Sequence, residues 1–135
     1  MSLRECNTSL SELFESQLAL QLESFGGVDP RNHDGDDRAW FITWNAYALE
    51  DEIHEATREV GWKPWASSRH LNRERYLDEL ADAFHFFMNL CLVAGITGEE
   101  LAEAYYLKRR ENVQRQIDGY VGQSLNEPEF EGGLV

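Results

Sequence analysis

From Asn72 to Ala94 the chain runs without a glycine or a proline, and the second half of that stretch is apolar nearly all round a helical wheel. Phe84, Phe86, Phe87, Met88, Leu90, Leu92 and Val93 leave almost no polar face. A helix of this kind is stable in water only when neighbours cover it on several sides. Gly95 supplies the stop, because glycine takes the left-handed conformation that ends a helix at little cost. One long helix enclosed by others is therefore the minimum architecture.

Three more segments carry helical signals. The first is predicted from about Ser9 to Phe25, with Ser9 and Glu12 in capping-box spacing and Gly26-Gly27 as the stop. Its apolar positions are Leu10, Leu13, Phe14, Leu18 and Leu22. The second runs from about Asp37 to Val60, with Trp40, Trp44, Tyr47, Ala48 and Ile53 on its apolar side. The fourth opens at Thr97, with Glu100 three residues on, and runs to about Asp118. An irregular tail is expected from about residue 119, where Gly, Glu and Pro accumulate. No strand-like alternation, internal repeat or long heptad is present. The expected fold class is all-α, a single domain over residues 1–135 built as a bundle of four main helices.

With 135 residues, a chain of this size buries roughly two thirds of its unfolded surface without staples. Twelve basic residues against 25 acidic ones give a net charge of −13. Binding to nucleic acid through phosphate neutralisation needs the opposite sign, so no nucleic-acid partner is expected. Cys6 and Cys91 have no metal-ligand spacing, and Cys91 reads as a small core residue. Met1 to Leu10 lacks an apolar h-region, and the stretch 81–96 is too short and too polar to span a bilayer. The expected compartment is the cytoplasm, with no membrane partner.

Two carboxylate pairs carry the chemistry. Glu52 and Glu55 are three residues apart on the second helix, and Glu79 and Asp82 are three apart on the third. That spacing places both members of a pair on one helix face. A short connection makes the two helices antiparallel neighbours, so the pairs can face each other. Four carboxylates in one place either take up protons or gather a cation, and their hard oxygens suit Mg²⁺ or Mn²⁺. The bland alternative is a solvated acidic surface, which is how Glu50, Asp51, Glu59, Glu74 and Asp78 read. His85 extends the row on the third helix, either as a ligand-facing group or as a core histidine with one partner. On the fourth helix Lys108, Asn112 and Arg115 follow an i, i+4, i+7 stripe suited to a polyphosphate. A basic last turn answering the helix dipole explains Arg115 better than Lys108. The loop Gly61 to Leu71 is unusual in holding Trp62, Lys63 and Trp65 around Pro64.

This constellation resembles the all-α nucleoside triphosphate pyrophosphohydrolases, the MazG-like superfamily. Trp62-Lys63-Pro64-Trp65, Asp82-Ala83-Phe84-His85-Phe86 and Tyr106-x-Lys108-x-x-x-Asn112-x-x-Arg115-Gln116-x-x-Gly119-Tyr120 point to its dimeric dUTPase branch. The resemblance covers about Ser11 to Tyr120. It implies hydrolysis of dUTP to dUMP and pyrophosphate, with Mg²⁺ held by Glu52, Glu55, Glu79 and Asp82 and Mn²⁺ able to substitute. It implies that Glu55, or alternatively Glu52, activates the attacking water. Lys108, Asn112 and Arg115 would contact the phosphates. Phe86 would pack on the deoxyribose, and His85 with Trp62 or Trp65 would help form the base pocket.

The family reads its base with a Gln and, one turn later, an Asn. Gln17 is present, but Leu20 stands where the Asn is expected, with Gln21 beside it. dCTP or a modified deoxynucleotide therefore stays open as the substrate. A short subunit that completes its pocket from a copy fits a homo-oligomer, a dimer or a tetramer, with the apolar excess of helices two and three between subunits. Two other readings remain. Asp51-x-x-His54 and Asp82-x-x-His85 resemble the acid-x-x-His pairs of di-iron bundles. A non-enzymatic acidic dimerisation module would explain the helices and the charge, but not the tryptophan loop or the basic stripe.

Overall fold

A computed structural model describes residues 8–24 and 26–119. Four α-helices carry the fold: α1 (Leu10–Ser24), α2 (Gly35–Arg58), α3 (Arg73–Val93) and α4 (Gly98–Asp118), with a single 3₁₀ turn at Pro30–Asn32. No strand is present among the described residues; one isolated antiparallel bridge joins Val60 to Leu71. The all-α expectation holds. The chain forms two compact units, residues 1–101 and 102–135. The tail expected after residue 119, Phe25 and Cys6 lie outside the described residues.

Local chemistry sets the helix ends. The Ser9 hydroxyl accepts from the Glu12 backbone N–H at 3.2 Å, while the Glu12 carboxylate accepts from the Ser9 N–H at 3.2 Å. Thr97 and Glu100 repeat the reciprocal box at 3.1 and 3.3 Å. Each box satisfies two donors that the first turn of a helix leaves unpaired. α2 starts at Gly35, two residues earlier than its sequence suggests, because Asp34 occupies the extended N-cap position. α3 ends as expected: Gly95 takes φ +70°, and the Ile96 N–H turns back to the Cys91 carbonyl at 3.0 Å.

Within the first unit α3 is central, packed against α1, α2 and the 3₁₀ turn. Its buried residues are Ala83, Met88, Asn89, Cys91, Leu92 and Val93. Phe14, Met88 and Cys91 form the apolar nucleus, flanked by Leu10, Phe84, Ile96 and Leu101. Burial pushes the Cys91 thiol pKa up, as expected of a packed thiol. α2 and α3 run antiparallel. Asn45 bonds Asn89, Glu52 lies beside Glu79 and Val60 bridges Leu71, so the partner number falls along α2 and past its end.

Two faces differ from the simple apolar pattern. On α1 the buried positions are Phe14, Gln17 and Gln21, whereas Leu13 and Leu22 are exposed. On α2 the aromatic stripe Trp40, Trp44 and Tyr47 is exposed, and Asn45 is fully buried. The helices thus turn amide side chains inward, toward a polar interior between α1, α2 and α3.

Candidate metal centre and adjoining cleft

The α2–α3 pairing carries the two acidic rows toward each other. Glu52, Glu55 and Glu79 each present a carboxylate oxygen, and these oxygens lie within 4.8 Å of one another. All three side chains are half-buried. Asp82, one turn after Glu79, stands outside this trio and is more exposed, but its charge still acts on Glu52. Asp51 and His54 are exposed, and no histidine joins the group among the described residues, so the di-iron alternative gains no support.

The electrostatics are those of a crowded acidic site. Burial, followed by the neighbouring charge of Glu55, pushes the Glu52 carboxyl up to about 7. Glu79 is also raised, first by burial and next by its hydrogen bond to Glu55. Glu52 Oε2 is buried with no hydrogen-bond partner. An orphaned carboxylate oxygen beside two more carboxylates costs free energy unless a proton or cation meets it. The donor set is all oxygen, which fits a hard divalent cation. These three residues are therefore able to bind a metal ion.

A cleft of about 520 Å³ opens beside the trio, bordered by Gln17, Leu20, Gln21, Phe41, Trp44, Glu52, Asp82, His85, Phe86 and Asn89. Glu52 belongs to both features, so the acidic group adjoins the cleft, and α1 contributes Gln17, Leu20 and Gln21 to its wall. Phe86 meets the Trp44 ring edge-on, with centroids 5.9 Å apart. A chain of polar side chains runs from beneath the cleft up to its wall. Asn45 Nδ2 donates to the Phe41 carbonyl at 2.8 Å, and Asn89 Nδ2 donates to Asn45 Oδ1 at 2.9 Å. Gln17 Nε2 donates to Asn89 Oδ1 at 2.9 Å, and Gln17 Oε1 lies 2.9 Å from His85 Nδ1.

Of the residues singled out from sequence, Gln17, Glu52, Asp82, His85 and Phe86 meet around this cleft. Trp62 and Trp65 do not border it. They stand 57% and 79% exposed on the loop after α2. That loop is tied down by Arg69, whose guanidinium donates to the carbonyls of Gly61 (3.1 Å), Lys63 (2.8 Å) and Pro64 (3.2 Å). Asn45, Asn89 and Trp44 escaped the sequence reading of the site. The available signal was the two asparagines standing inside otherwise apolar stretches of helix, and nothing marked Trp44.

In the second unit Lys108 and Asn112 share a shallow groove with Tyr105, Arg109, Val113 and Gln116, while Arg115 does not border it. Lys108 Nζ pairs with Glu111 at 2.9 Å. Both partners are largely exposed, so the pair contributes little to stability and gives way readily to a stronger anion.

Residues 9–94 match the family described as dUTPase, and the chain belongs to that all-α family. The match spans α1 to α3, the acidic trio and the cleft, and stops short of α4. Two curated relatives are phage proteins named dCTP pyrophosphatase. The one from Enterobacteria phage LZ5 is 34% identical, over 64% of this chain and 63% of the relative. The one from Enterobacteria phage T4 is 29% identical, over 53% of this chain and 56% of the relative. The chain thus spans less than two thirds of the length of either. No solved structure gives a significant match. Among the described residues no single helix is long and apolar enough to cross a membrane.

Proposed function

We propose that the protein is a divalent-metal-dependent pyrophosphohydrolase that cleaves a pyrimidine deoxynucleoside triphosphate to the monophosphate and pyrophosphate. The observation that carries this reading is the convergence of Glu52, Glu55 and Glu79 beside a cleft that Glu52 itself borders. Mg²⁺ is the expected ion, with Mn²⁺ as a substitute, held by these three groups and Asp82. When bound, it offsets the triphosphate's negative charge and favours ionisation of the attacking water.

The chain's own residues then divide the work. A water oxygen attacks phosphorus, the anhydride bond between the α- and β-phosphates breaks, and pyrophosphate leaves with the electron pair. The water's proton passes to a carboxylate. Glu55 and Glu52 are the two candidates, and Glu52's place on the cleft wall favours it. Phe86, braced by Trp44, offers a flat apolar surface to the deoxyribose. Gln17 and His85 face the base. Lys108, Asn112 and Arg115 are the candidates for the phosphates, on the strength of their shared stripe and charge.

The names of the two phage relatives favour dCTP as the substrate, and Leu20 in place of an amide agrees with a departure from uracil reading. The family description favours dUTP as the second reading. The exposed stripe Trp40, Trp44 and Tyr47 supports a homo-oligomer, because apolar surface of that kind marks contact sites. Incubation with Mg²⁺ and each of dCTP, dUTP, dTTP and UTP, followed by assay of pyrophosphate, tests the proposal. Release from none of them overturns it.

A further inference from the structure

The amide chain that runs up to the cleft wall has a direction, and the Phe41 carbonyl sets it. A backbone carbonyl only accepts, so Asn45 must turn its Nδ2 toward it. Asn45 Oδ1 then faces Asn89 and obliges Asn89 to donate. Asn89 Oδ1 in turn obliges Gln17 to donate through Nε2. Gln17 is left with Oε1 against His85, and an oxygen of that kind also only accepts. His85 must therefore carry its proton on Nδ1. Reversing any one amide would set two oxygens or two N–H groups face to face at about 2.9 Å, inside a buried site.

We infer that Asn45 is a positioning residue that fixes the tautomer of His85, so that a neutral His85 offers Nε2 to the cleft as a hydrogen-bond acceptor. Asn45 is fully buried and does not border the cleft, so it acts on a ligand only through Asn89, Gln17 and His85. An acceptor on this wall selects a base edge that brings an N–H, such as the amine of cytosine or the imide N–H of uracil. It disfavours an edge that brings a carbonyl oxygen there. The kinetic consequence rests on the proposed function; the tautomer does not.

The test is nitrogen NMR on the full chain labelled with ¹⁵N-histidine, at a pH where imidazole is neutral. The protein has four histidines, and the His85→Gln spectrum identifies the signals that belong to His85. The expected wild-type spectrum shows a protonated Nδ1 and a bare Nε2 at His85. Asn45→Ala is expected to give a mixture of tautomers there. A wild-type His85 protonated on Nε2 overturns the inference whether or not the variant folds, and so does a variant that keeps pure Nδ1–H. In the pyrophosphate assay, Asn45→Ala is expected to raise KM roughly tenfold with little change in kcat, as loss of a base contact made equally in the ground and transition states does. A fall in kcat at constant KM overturns the positioning role. Should the wild type hydrolyse no nucleotide, the functional reading fails while the spectrum still decides the tautomer.

Discussion

Glu52 on α2 and Glu79 on α3 bring carboxylate oxygens within 4.8 Å of each other, and the Glu52 oxygen that is buried there has no hydrogen-bond partner. In the metal-free protein this arrangement is held together against its own charge. Glu52→Gln removes one of the crowded charges and keeps the side chain's shape. Metal-free Glu52→Gln is expected to melt roughly 3 °C higher than wild type at pH 8, the shift that ~1 kcal/mol produces in a domain of this size. Its pyrophosphate release should fall at least about a hundredfold. A variant that is less stable without metal, or as active as wild type, removes Glu52 from the proposed centre.

The same crowding sets a pH dependence. Glu52 titrates near 7 in the folded chain against an ordinary value of 4.5, and Glu79 is raised as well. Between those values the folded state holds more protons than the unfolded state, so stability falls as pH rises. The metal-free melting temperature should therefore drop between about pH 5 and pH 7. Metal affinity should move the other way, because the cation must displace the proton. For one proton released, Mn²⁺ binding tightens by up to about tenfold per pH unit below 7. Calorimetry at pH 6 and pH 7, with melting curves in chelator, measures both slopes.

The tryptophan loop gives a prediction about backbone rather than charge. A Cβ on Gly61 would collide with the Ser68 carbonyl and crowd the Arg69 backbone. Neither neighbour is a flexible side chain, and Arg69 ties this loop to itself through three other carbonyls. Gly61→Ala is expected to cost about 1–3 kcal/mol, the usual range for overpacking. Limited chymotrypsin digestion should then cut after Trp65 faster than in wild type. Unchanged melting and digestion would show that the loop rearranges freely.

Much of this was readable in the residues. Both capping boxes and the Gly95 stop follow from local rules that tertiary context did not override, whereas α3 is covered at Met88, Leu92 and Val93 but leaves Phe87 exposed. The E-x-x-E and E-x-x-D spacings located the acidic rows, because helical periodicity fixes which side chains share a face. The orientation of α1 was not readable. Its leucines suggest that Leu13 and Leu22 point inward, yet the buried stripe is Phe14, Gln17 and Gln21. Apolar periodicity is blind to amides that are buried because they bond one another across helices, and the partners of Gln17 come from α3. The two tryptophans of the loop were expected at the base, and their distance from the cleft reflects Arg69 holding the loop against its own carbonyls.

Leu20 offers the sharpest test of substrate choice. It borders the cleft one turn from Gln17, on the wall that faces the base in the proposed reading. An isobutyl group there can neither donate nor accept, so it leaves the base edge to Gln17 and His85. Asn at this position would add one donor and one acceptor, able to meet the O4 and N3–H of uracil. Cytosine reverses both of those roles, and the new amide would have to turn over to meet it. A site that hydrogen-bonds one base and leaves a polar group unpaired with the other discriminates strongly. Leu20→Asn is therefore expected to raise kcat/KM for dUTP relative to dCTP by roughly tenfold or more. The ratio is measured by direct competition of the two nucleotides in one reaction, which cancels any general loss of activity. An unchanged ratio in an active variant would mean that the base lies elsewhere in the cleft or that the new amide turns over freely to meet either base.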